Sequence, residues 1–179
     1  NMLINPKEAI EQGWIKISGE FKWDECIQPN AIDFTLDKAH YDGRLNVSTI
    51  IGKNHKQLPS FEEMDTVYDH DTACNYFEIQ PGQAIDGSSN MYVTLPSGVA
   101  AMLVVRSTLN RGNCTLTSGL YDSGYQGNIG FSIFNRGKVS AYIEKGARVG
   151  QIMFIPSDHA KLYAGGYNHN DGEHWSTSK

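Results

Sequence analysis

Short apolar or alternating runs, each cut off by proline or glycine, constrain this chain more than any other feature. The runs fall at residues 77–79, 91–95, 102–105, 129–134 and 151–155. The breaks between them are Pro81-Gly82, Pro96-Ser97-Gly98, Arg111-Gly112, Arg136-Gly137 and Lys145-Gly146. Runs this short suit strands, and turn signals every ten or so residues suit antiparallel strands. An all-β fold is therefore predicted: a sandwich, a jelly roll or a small barrel.

Only the start reads as a helix. Asn5 suits the cap, Pro6 the first helical position, and Glu8 stands three residues after the cap. Gly13 is placed to end it. Residues 60–65 are read as a turn at most. Residues 41–74 are less periodic and more polar, and read as an insertion or long hairpin. The tail, 165–179, is rich in Gly, Asn and His and reads either as a disordered end or as a lid that orders on a ligand. A length of 179 residues fits one domain over 1–179.

Composition narrows the function classes. Fifteen basic against twenty acidic side chains give a net charge of −5, the wrong sign for a nucleic-acid scaffold. A small polyanion needs only a few local cations and stays open. No apolar run is long enough for a membrane helix, so no membrane partner is expected. Cys26, Cys74 and Cys114 are too few and too scattered for a disulfide framework or a zinc knuckle. With no signal-peptide pattern, the expected location is the cytoplasm, or the host's cytoplasm if the source is a virus.

Three segments combine polar residues with glycines where strands should end. In the first, Arg106, Ser107, Thr108 and Arg111 follow the run at 102–105. Guanidinium groups, hydroxyls and the N–H groups of a helical turn are what a phosphate chain needs; the same residues also suit a capped turn with solvated arginines. In the second, Asp122 lies among Gly119, Gly124 and Gly127. It is either a turn aspartate or a positioned base. In the third, Gln151 enters an apolar strand after Lys145-Gly146 and needs a partner, structural or bound. Walker, G-x-S-x-G, H-E-x-x-H and zinc-deaminase patterns are all absent.

Taken together and in order, the segments resemble the dUTPase and dCTP deaminase superfamily. Residues 27–36, Ile-Gln-Pro-Asn-Ala-Ile-Asp-Phe-Thr-Leu, resemble the first motif of the deaminase branch. Arg106-Ser107-Thr108-Leu109 resembles the second. Residues 119–127, Gly-Leu-Tyr-Asp-Ser-Gly-Tyr-Gln-Gly, resemble the third, and Lys145-Gly-Ala-Arg-Val-Gly-Gln-Ile152 the fourth. The resemblance implies a distorted jelly roll forming a homotrimer, with sites between subunits. It implies that Asp122 activates a water for attack on the α-phosphorus of dUTP, giving dUMP and pyrophosphate with Mg²⁺. Arg106, Ser107 and Gln151 would hold phosphates, with Thr108 and Arg111 beside them. Tyr125 would pack on the deoxyribose. The hairpin Leu116, Thr117, Ser118, Gly119 and Leu120 would read the base through its backbone. Asp33 would orient the site or hold metal-bound water. The tail resembles the deaminase type, with Tyr167 placed to stack on the base and Asn170 beside it.

The resemblance also separates two reactions. Deaminases of this superfamily carry a proton-shuttling glutamate in the strand after the third motif. Ser132 stands at that position here, and a serine does not shuttle protons as a carboxylate does. The expectation is dUTP hydrolysis. Hydrolysis of dCTP or of both nucleotides is the first alternative, and a regulatory homologue that sequesters its nucleotide is the second.

Overall fold

The computed structural model describes residues 2–42, 48–158, 162–165 and 168. The helix at the start forms as its cap predicts. The Asn5 side chain accepts from the Lys7 N–H at 3.0 Å and opens α1 (Pro6–Glu11). Gly13, at φ +71°, then turns the chain into β1 (Ile15–Ile17).

The remaining elements are α2 (Trp23–Cys26), β2 (Ile32–Thr35), β3 (Lys38–Asp42), β4 (Ile50–Ile51), β5 (Lys56–Gln57), β6 (Phe61–Glu63), β7 (Val67–Asp69) and β8 (Cys74–Ile79). They continue with β9 (Ala84–Thr94), β10 (Val99–Val105), α3 (Ser107–Arg111), β11 (Cys114–Thr117), β12 (Leu120–Tyr121), β13 (Gln126–Asn135), β14 (Ala141–Glu144) and β15 (Arg148–Pro156). The fold is mostly β, as the short punctuated runs require. No helix among the described residues is long and apolar enough to cross a membrane.

Two sheets build the core. One has the order β11-β13-β9-β3-β6, with β1 also paired to β9. The other has the order β12-β10-β15-β2. All these pairings are antiparallel. Along β9, Ile85, Met91 and Val93 point inward, and along β13, Ile129, Phe131 and Ile133 do the same. Phe34 of β2 meets Phe131 of β13 with ring centroids 5.0 Å apart, so the two sheets pack face to face. One buried cluster runs from Ala9 on α1 to Phe154 on β15.

The five sequence runs reappear as β8, β9, β10, β13 and β15, each longer than its run. Two expectations are corrected. Residues 60–65 hold a strand, β6, because Phe61–Glu63 finds a partner in β3. Within 41–74, β6 and β7 are strands of larger sheets, while only β4 and β5 form a separate ribbon. β7 pairs with β8, which pairs with β14.

Candidate active site

The site is built around a buried carboxylate. Asp33 lies on β2, opposite Gln151 on β15, and is fully buried. An unpaired carboxylate there would cost several kcal/mol, so partners are obligatory. Gln151 donates to one oxygen from Nε2 at 2.9 Å. The other oxygen meets Gln28 Nε2 at 3.3 Å, Arg148 Nη1 at 3.3 Å and Arg106 Nε at 3.4 Å. Two guanidinium groups thus share one buried anion, and Arg148 also lies 4.0 Å from the exposed Glu25 carboxylate. Both side chains stay about 30% exposed, at 27% for Arg106 and 32% for Arg148. Held from below and open above, the pair offers cations to a phosphate chain without further ordering.

A bulge brings Arg148 into the cluster. On a regular strand, residues 148 and 151 point to opposite faces. The β15–β2 register slips between Arg148 and Gly150, with Thr35 opposite the first and Phe34 opposite the second. One extra residue re-aims the strand, and both side chains reach Asp33. Beside the cluster, Arg106 leads from β10 into α3, where Ser107, Thr108 and Arg111 are all exposed. Arg136 ties this helix to β11. Its guanidinium donates to the Asn110 carbonyl at 2.8 Å and to Thr115 Oγ1 at 2.9 Å.

The other half of the site surrounds Asp122. Its carbonyl accepts from Tyr125 N at 3.0 Å, closing a turn in which Gly124 has φ +89°. The Asp122 side chain is exposed. Its neighbours are fixed: Ser123 Oγ donates to the Val99 carbonyl at 2.8 Å, and Tyr121 is buried. Burial pushes the Tyr121 hydroxyl up, keeping it protonated. It donates to the Gly130 carbonyl at 2.8 Å and accepts from the Gly130 N–H at 2.8 Å. Ser118 Oγ donates to the same carbonyl at 2.8 Å. The hairpin is thereby pinned to β13, with Thr117, Ser118, Gly119 and Leu120 exposed and Leu116 in the core.

The structure therefore gathers Arg106 and Gln151 and adds Arg148 and Gln28, which carried no assignment in the sequence. Of the two roles expected of Asp33, the geometry favours orienting the site: its oxygens face cations and amides, and it anchors the arginines. Tyr125 is 3% exposed, wedged between Tyr121 and Tyr163 with its hydroxyl on the Asn128 carbonyl at 2.9 Å. Its ring supports the turn from inside, in place of the expected open face for a sugar. Tyr167 and Asn170 lie outside the described residues. Asn168, between them, accepts from Gln126 N at 3.0 Å. No group of three metal-ligating side chains occurs among the described residues.

The two halves are well separated within one chain. Tyr121 pairs with Ala101 on β10, and Arg106 follows β10 five residues further on. At about 3.3 Å per residue, this is about 17 Å along the strand.

The frame is mostly β and holds two arginines over a buried aspartate, with a second carboxylate in an exposed glycine turn. A family model described as dCTP deaminase-like matches residues 5–157, and the chain belongs to that family. A probable deoxyuridine 5'-triphosphate nucleotidohydrolase of Halobacterium salinarum is 33% identical over 150 residues, covering 82% of this chain and 85% of that protein. A dCTP deaminase, dUMP-forming, of Aquifex aeolicus is 28% identical over 171 residues, covering 93% of this chain and 87% of that protein. In three dimensions the chain is similar to the 2'-deoxycytidine 5'-triphosphate deaminase from Agrobacterium tumefaciens, with a TM-score of 0.63 at 15% identity. That likeness covers 87% of this chain and 48% of the other, and it establishes the fold.

Proposed function

We propose that this chain hydrolyses dUTP to dUMP and pyrophosphate. The observation that carries the reading is the Asp33-held cluster of Arg106, Arg148 and Gln151, a preorganised cradle for a phosphate chain. Ser107 and Thr108 extend it at the exposed start of α3, with Arg111 at the end of that helix. Asp122 takes a proton from water as the water oxygen bonds to the α-phosphorus; the bond from that phosphorus to the β-bridging oxygen breaks, and pyrophosphate leaves. Mg²⁺ would supply neutralisation of the phosphate charge, with Asp33 orienting Arg106, Arg148 and Gln151 beside it. The hairpin 116–120 receives the base.

One chain does not bring Asp122 to the arginines, so the complete site lies between copies, in the homotrimer that the resemblance implies. Met102 and Leu120 favour this. They are cross-strand partners, 42% and 59% exposed, and form an apolar surface suited to a second copy. Deamination is not assigned, because Ser132 offers only a hydroxyl, which donates to the Ile85 carbonyl at 3.2 Å.

The test is a panel of dUTP, dCTP, dTTP and UTP with Mg²⁺, assayed for pyrophosphate and for ammonia. Pyrophosphate from dUTP with no ammonia from dCTP is expected. Tight binding with the triphosphate left intact would replace hydrolysis by sequestration.

A further inference from the structure

Thr117, Ser132, Asp86 and His40 are successive cross-strand partners on β11, β13, β9 and β3. Directly paired residues present their side chains on one face of a sheet. Here it is the face away from the core, since the alternate residues Ile85 and Ile133 are fully buried on the other side. On this face Asp86 lines a pocket of about 260 Å³ together with Thr117, Ser118, Gly119 and Ser132. That is space for a base and not for a whole nucleotide. The pocket includes the hairpin assigned to the base.

Asp86 is the carboxylate of this pocket. Among the described residues no hydrogen bond or ion pair reaches it, and burial pushes its pKa up to about 6. The side chains around it are the neutral Ser132 and Thr117 on one side. On the other, His40 is its β3 partner, Lys38 lies opposite Ser88, and Glu63 lies beyond His40 on β6. The carboxylate that the resemblance places at position 132 is missing from that strand but present on the next one.

We infer that Asp86 is a base-reading residue, whose carboxylate accepts a hydrogen bond from the exocyclic amino group of a cytosine ring and so admits 4-aminopyrimidine deoxynucleotides to this site in addition to dUTP. An ionised carboxylate is an acceptor only. It pairs with the amino group of cytosine and gives no hydrogen bond to the 4-oxo group of uracil, which is left to the hairpin backbone. Once protonated, it donates to that same oxo group. The small Ser132 side chain leaves the space between Asp86 and the hairpin free for the ring.

The inference rests on the nucleotide reading above, and the test separates the two. Binding of dCMP and of dUMP to the full chain is measured by calorimetry at about pH 7.5 and about pH 5.5, on either side of the Asp86 titration. The ratio of the two affinities cancels the titration of the phosphate itself, which falls near pH 6. Asp86→Ala should weaken dCMP about tenfold or more while leaving dUMP unchanged or tighter. In the wild type the preference for dCMP should fall several-fold as the pH drops and the carboxylate protonates. That fall should vanish in both Asp86→Ala and Asp86→Asn, which retain His40. An equal dCMP-to-dUMP ratio in wild type and Asp86→Ala overturns the role of Asp86 and leaves the phosphate site standing. Binding of dUMP without dCMP overturns the inference alone, and failure of both nucleotides to bind the wild type overturns both readings.

Discussion

Asp33 and Asp122 show how burial divides two identical side chains between different tasks. Asp33 has no exposed surface, and its two oxygens face Gln151, Gln28, Arg148 and Arg106. It holds other groups in place from beneath the surface. Asp122 projects from a turn whose backbone is fixed by Tyr121, Ser123 and Tyr125. It has the accessibility that a general base requires. Asp122→Asn should therefore lower kcat on dUTP at least about 100-fold while nucleotide binding persists. Steady-state kinetics paired with calorimetry checks this, and near-normal turnover would remove Asp122 from the reaction.

At the scale of elements, the decisive departure from regularity is the bulge in β15. It turns a strand that would present Arg148 and Gln151 to opposite faces into one that presents both to Asp33. Gly150 makes the bulge fit. A Cβ there would collide with the Phe34 ring and come within 2.9 Å of the Val104 carbonyl. Gly150→Ala should cost about 1–3 kcal/mol of stability, read as a lower denaturation midpoint at unchanged slope. A midpoint equal to the wild type would show that the strand has room the geometry denies. The centre of β9 makes a related point. Gly87-Ser88-Ser89-Asn90 contains no strong strand former, so periodicity begins only at Met91. Pairing to β13 on one side and β3 on the other makes the whole stretch a strand.

On the scale of the whole molecule, the separation between Asp122 and Arg106 governs what one chain can do. If sites form between copies, Arg106→Ala and Asp122→Asn should each be nearly inactive, yet regain activity when co-assembled. A site combining the intact Arg106 of one copy with the intact Asp122 of another arises in about a quarter of positions in an equimolar random mixture. Pyrophosphate release from refolded mixtures measures it, and mixtures no better than the separate variants would place both groups in one chain's site.

Sequence alone was sufficient for the mostly-β class, the helix started by Asn5 and Pro6, and the five longest strand runs. These follow from local signals: capping chemistry, period-two patterning and glycine punctuation act between near neighbours in the chain. Tertiary structure alone decided that Asp33 anchors arginines, that Tyr125 supports the turn from inside, and that Arg148 joins Arg106 and Gln151 on Asp33. It alone placed Asp86 beside Ser132, across 46 positions of sequence. Each depends on which strands pair and where their register slips, and such long-range pairing is set by the packing of two sheets and leaves no periodic mark on either strand.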